Sequence, residues 1–161
     1  MSDKHILLIE DNPDDEMLTL RAFQKAGYSD YLSVVRDGAE ALDYVLHRGV
    51  YQDPERYPAP DLILLDLKLP KIDGREVLKR IRADQHARFI PVVILTSSIE
   101  ETDIFSCYEL GGNSYIRKPI DFERFKLVIE RVCEYWLSFN HPAPAGKEET
   151  ALLSETTAVK T

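Results

Sequence analysis

Between Asp61 and Leu65 the chain reads Asp-Leu-Ile-Leu-Leu, entered through Pro60 and followed at once by Asp66-Leu67-Lys68-Leu69-Pro70. A strand that is apolar at every position has no face left for water. It must be covered on both sides, as a parallel strand beneath two layers of helices is. Asp66 then stands at the carboxyl-terminal end of that strand, the edge where open parallel sheets gather ligands and chemistry. A lone strand-end aspartate is more often a turn cap than a nucleophile, so the rest of the chain must decide its role.

The same unit recurs along the sequence. His5 to Ile9 reads as a short strand ending in Glu10-Asp11-Asn12-Pro13, where Asn12 can cap a helix reaching about Ala26 and Gly27 stops it. Tyr31 to Val35 is a second strand, and Ala39 to His47 a second helix with Ala41, Leu42, Val45 and Leu46 on its apolar face. Gly49 to Pro60 is a long loop before the central strand. Asp73 can cap a helix of Arg75 to Ala83, and Pro91 to Leu95 is a fourth strand ending in Thr96-Ser97-Ser98. Glu100 to Leu110 is helical in pattern and closed by Gly111-Gly112. Ser114 to Arg117 is a fifth strand leading into Lys118-Pro119, and Asp121 caps a last helix with Phe125, Ile129, Val132 and Trp136 at helical spacing. Five βα units with right-handed crossovers predict an α/β fold, a doubly wound five-stranded parallel sheet in a three-layer α/β/α sandwich.

Composition narrows the class. At 161 residues and 44% hydrophobic content the chain suits one domain, expected over residues 1–140, with a polar tail over 141–161. Cys107 and Cys133 lack metal or redox spacing and read as buried thiols, and the four histidines are scattered without ligand spacing. No charged leader or membrane-length apolar run is visible, so a cytoplasmic protein without membrane association is expected. A net charge of −8 argues against nucleic acid as a partner.

In this architecture the strand ends bring Glu10, Asp11, Asp66, Thr96 and Lys118 to one sheet edge. Crowded carboxylates repel unless a cation sits among them, and hard oxygen ligands suit Mg²⁺. A phosphoryl group on Asp66 would have its charge met by Mg²⁺, the Thr96 hydroxyl and the Lys118 ammonium.

From Lys4 to Phe139 these motifs closely resemble the response-regulator receiver family of two-component signalling. The acidic pair is Glu10-Asp11, the phosphoacceptor Asp66, the turn Pro70 and Gly74, the switch Thr96 and Tyr115, and the Lys-Pro pair Lys118-Pro119. Thirty positions separate Asp66 from Thr96 and twenty-two separate Thr96 from Lys118, as in the single-domain chemotaxis regulator. The resemblance implies a flavodoxin-like strand order 2-1-3-4-5 and a cis Lys118-Pro119 bond. It implies Mg²⁺ held by Asp11, Asp66 and the Lys68 backbone carbonyl, with Glu10 supporting through water. It further implies a signalling phosphoacceptor rather than an enzyme, one that takes its phosphoryl group from a sensor histidine kinase and promotes its own dephosphorylation. Glu10 departs from the family's usual first Asp, and Ser97 follows Thr96 where the chemotaxis regulator has Ala. The long loop, and the lack of a DNA-binding helix pair after Phe139, make the chain similar to the small receivers that partner cyanobacterial phytochrome kinases.

Two rivals are weaker. A phosphohydrolase with a strand-end Asp wants a second Asp two residues on, where Lys68 stands, and a flavin carrier needs a phosphate loop that Glu10-Asp11-Asn12-Pro13-Asp14 would repel. A receiver-shaped scaffold acting by binding alone stays open. The resemblance further implies output through a homodimer face on the fourth helix, fifth strand and fifth helix, with Ile104, Tyr108, Phe122 and Val128 outward beside Tyr115.

Overall fold

A computed structural model describes residues 4–144. Five strands, β1 (Ile6–Ile9), β2 (Leu32–Val35), β3 (Leu62–Leu65), β4 (Val92–Thr96) and β5 (Ser114–Arg117), alternate with five helices. The helices are α1 (Pro13–Ala26), α2 (Gly38–Val45), α3 (Gly74–Ala83), α4 (Glu101–Glu109) and α5 (Phe122–Glu134). All strand pairs are parallel and the order is β2-β1-β3-β4-β5, as the resemblance implied.

The continuous apolar strands divide their side chains between two cores, because successive residues of a strand point to opposite faces. Leu7, Ile9, Ile63, Leu65, Val92 and Ile94 join α2, α3 and Cys107 of α4 on one side. Ile6, Leu8, Leu62, Leu64, Val93 and Leu95 join Ala22 and Phe23 of α1 and Phe125, Ile129 and Cys133 of α5 on the other. Both cysteines are free and buried, and burial pushes the Cys107 thiol up to about 11 and that of Cys133 to about 12.

Helix starts follow their capping residues. Asn12 accepts from the backbone N–H groups of Asp14 and Asp15 with Pro13 in the first turn, and Asp37, Asp73 and Asp121 cap α2, α3 and α5 in the same way. Each such cap is worth about 1 kcal/mol. Gly27 ends α1 at φ 86°, a left-handed conformation that costs glycine nothing.

Some expectations need correction. β2 starts at Leu32, because Ser29–Tyr31 closes a 3₁₀ turn first, and α2 ends at Val45 before His47 turns to φ 54°. No peptide bond among the described residues is cis, so the Lys118-Pro119 bond is trans, the form an X-Pro bond intrinsically favours. The long loop is docked on α2: the rings of Tyr51 and Tyr57 lie 5.0 and 6.0 Å from that of Tyr44, and the Tyr51 hydroxyl donates to Glu40 at 2.6 Å. After α5 the chain continues through a π-helical turn, Tyr135–Phe139, that keeps Trp136 against the core. Of the expected tail, residues 141–144 are exposed and without regular structure, and the remainder lies outside the described residues.

Candidate phosphoacceptor site

Register places the site. Ile9 pairs with Leu65, so Glu10 and Asp66, each one residue further on, emerge side by side from β1 and β3. Thr96 closes β4, and the Lys118 N–H donates to the Thr96 carbonyl at 2.8 Å, which brings the start of the β5–α5 turn to the same edge.

Asp66 is nearly buried and both its oxygens are engaged. Oδ2 lies 2.8 Å from Lys118 Nζ, while Oδ1 accepts from the Thr96 hydroxyl at 3.3 Å and from the Lys68 N–H at 3.2 Å. Lys118 Nζ also lies 2.5 Å from Glu10 and 3.0 Å from Asp15. One ammonium thus serves three carboxylates. Desolvation alone would pull the Lys118 pKa down, but its bonds to Asp66 and Glu10 outweigh that and raise it above the ordinary lysine value. Glu10 is 1% exposed, and burial pushes it up to about 7 against the opposing pull of Lys118. The shared ammonium keeps its own proton yet does not fully offset the cost of burying Glu10 as an anion.

Asp15 is the residue that sequence reasoning missed. It belongs to the acidic first turn of α1, Asp14-Asp15-Glu16, which is easily taken for an ordinary helix start, yet its carboxylate reaches back to Lys118 at the strand end. Asp11, expected to hold the metal, is exposed, whereas the carboxylates in mutual reach are those of Glu10, Asp15 and Asp66, with oxygens within 4.8 Å of one another. Three hard oxygen donors around a place already filled by positive charge fit a divalent cation such as Mg²⁺.

Thr96 is fully buried and already touches Asp66, and Tyr115 is turned into the fold, its hydroxyl donating to the Ser98 carbonyl at 2.9 Å. Burial raises the Tyr115 pKa and the bond to Ser98 opposes it. On the expected output face Tyr108 is 52% exposed, while Ile104 and Val128 are half-buried. Phe122 does not face outward beside Tyr115: it packs at the edge of the core shared by α1 and α5, with the Arg21 guanidinium 4.9 Å over its ring. Phe105, also on α4, is 69% exposed.

A strand-end aspartate braced by a lysine and a hydroxyl, inside an acidic group, on a sheet of this order defines a signalling receiver. The response regulator receiver domain model matches residues 6–130, and the chain belongs to that family. Among curated relatives it is 44% identical over 142 residues to the probable methanogenesis regulatory protein FilR2 of Methanothrix harundinacea, covering 87% of this chain and 88% of that protein. It is 38% identical over 134 residues to the response regulator Rcp1 of Synechocystis, covering 83% and 89%. Among solved structures, the phosphorylated cyanobacterial phytochrome response regulator RcpA matches at 40% identity with a TM-score of 0.81, over 89% of this chain and 100% of that one. The Mn²⁺-bound form of Rcp1 matches at 36% with a TM-score of 0.76, over 88% and 99%. The receiver domain of the Pseudomonas aeruginosa kinase PA1611, with magnesium in its active-site cleft, matches at 29% with a TM-score of 0.65, over 84% and 98%. The chain is thus a receiver domain homologous to phytochrome response regulators. Among the described residues no helix is long and apolar enough to cross a membrane.

Proposed function

We propose that Asp66 accepts a phosphoryl group from a phosphohistidine of a sensor histidine kinase, of the phytochrome type, and that the phosphorylated protein signals by protein contact. The observation that carries this reading is the bracing of Asp66, with Lys118 Nζ 2.8 Å from one oxygen and the Thr96 hydroxyl 3.3 Å from the other. An Asp66 oxygen forms the new P–O bond as the P–N bond breaks, and that electron pair leaves on the imidazole nitrogen. Lys118 and Thr96 then stand where the charge of the equatorial oxygens gathers, so the protein supplies alignment and neutralisation rather than acid–base chemistry.

Glu10, Asp15 and Asp66 would hold Mg²⁺, and Asp11 and the Lys68 carbonyl are the further ligands that the family resemblance suggests. The cation, when bound, neutralises the charge that accumulates between donor and acceptor. The same residues support slow loss of the phosphoryl group to water, so this is a self-resetting phosphoacceptor rather than an enzyme acting on other molecules.

Incubation with Mg²⁺ and acetyl phosphate, followed by intact-mass spectrometry, tests the reading. Wild-type protein should gain one acid-labile phosphoryl group and Asp66→Asn none. Equal labelling of both would refute Asp66 as acceptor, and no labelling of folded wild-type protein would leave a receiver-shaped binding module.

A further inference from the structure

The loop from β4 to α4 is fastened by side chains outside the phosphoacceptor cluster. Ser98, two residues beyond Thr96, donates its hydroxyl to Asp103 Oδ2 at 2.6 Å and accepts from the Glu100 N–H at 3.3 Å. Asp103 lies in the first turn of α4, and its other oxygen takes Arg75 Nη1 of α3 at 3.3 Å. Glu100 itself provides no side-chain cap for α4, and Ser98 and Asp103 add a side-chain tie to the backbone bonds at the helix start. The carbonyl of the same Ser98 receives the Tyr115 hydroxyl at 2.9 Å.

Ser98 therefore joins α4 and β5 directly, and α3 through Asp103, two residues beyond the threonine whose hydroxyl touches Asp66. A backbone carbonyl can hold a tyrosine in place only if the loop carrying it is itself held. The 2.6 Å bond to a carboxylate is a charge-assisted one, of the stronger kind. We propose that Ser98, Asp103 and Arg75 form a clasp that presents the Ser98 carbonyl to Tyr115 and so keeps Thr96 poised at Asp66 before any phosphoryl group arrives. They are positioning residues, and the inference rests on the reading of Asp66 as phosphoacceptor. The clasp favours the arrangement that binds a phosphoryl group, so opening it must weaken phosphoryl binding through Tyr115. A bare capping role would stabilise α4 without reference to Tyr115.

Beryllofluoride, a phosphoryl mimic, titrated in excess Mg²⁺ and followed by fluorine NMR of the bound form, separates the two. Ser98→Ala and Asp103→Ala should each weaken its binding by about 5-fold or more, the lower range of ordinary coupling. Ser98→Thr, which keeps the hydroxyl, should bind as wild type. In a Tyr115→Phe background the alanine substitutions should change affinity little, since the contact they serve is gone. Unchanged affinity in the single variants overturns the clasp, as does equal loss in both backgrounds. Circular dichroism checks that each variant is folded, and Ser98→Ala reads the clasp without replacing a residue of α4 should Asp103→Ala fail to fold. Wild-type protein that binds no beryllofluoride would instead overturn the reading of Asp66, and the clasp with it.

Discussion

Lys118 brings a single positive charge to three carboxylates, and the least exposed of them bears the cost. Glu10 is held near 7 by burial against an ordinary value of 4.5. Between those values the folded protein keeps a proton that the unfolded chain has released, so stability falls as pH rises through that window. Glu10→Gln removes the titration and keeps the shape. In the presence of a chelator, denaturation midpoints of wild-type protein should decline relative to Glu10→Gln from about pH 4.5 to 7. Parallel curves would mean that Glu10 is charged throughout. The residue also shows where reading a sequence stops. Glu10 and Asp66 were legible because strand ends in a parallel sheet share an edge, but the sharing of Lys118 with Asp15 depends on how α1 leans over that edge, which no local pattern records.

At the scale of elements, the turn after β3 is fitted against two helix starts by glycine. A Cβ at Gly38 would lie 2.1 Å from the Ile72 carbonyl oxygen, and one at Gly74 would lie 2.5 Å from that of Asp66. Gly38→Ala should therefore destabilise the fold by about 1–3 kcal/mol, the usual cost of overpacking, measured by denaturant unfolding. Because Ile72 belongs to the turn that begins at Asp66, the same variant should also take up phosphoryl groups more slowly. Full stability with unimpaired uptake would show that the turn yields freely. Strand and helix identities were readable here because apolar runs, Asn12, Asp37, Asp73 and Asp121 are local signals. The docked loop was not, since the packing of Tyr51 and Tyr57 on Tyr44 is a tertiary fact with no period. The trans Lys118-Pro119 bond and the inward turn of Phe122 escaped for a related reason: both were carried from the resemblance rather than from residues of this chain.

For the whole molecule, the question is how a change at Asp66 leaves the domain. Phe105 and Tyr108 expose 69% and 52% of their surface on α4, which also carries the half-buried Ile104 and packs against β5. Aromatic side chains left in water are where association gains most from burial. A patch on one domain can meet its own copy through a two-fold axis, which makes a homodimer the simplest closed assembly. The Tyr115 hydroxyl reaches the Ser98 carbonyl, two residues beyond the Thr96 that reaches Asp66, so a change at the phosphoacceptor is expected to be felt at this ring. A phosphoryl group shifts the dimer only by its differential affinity for the arrangement that dimerises. Sedimentation velocity should therefore show association promoted by beryllofluoride with Mg²⁺ and reduced by Tyr108→Asp, with Phe105→Ala intermediate because it removes area without adding charge. Phe122→Ala, which changes the contact with α1, should leave association alone. A monomer under every condition, or a dimer indifferent to beryllofluoride and to Tyr108→Asp alike, would exclude α4 and β5 as the output face.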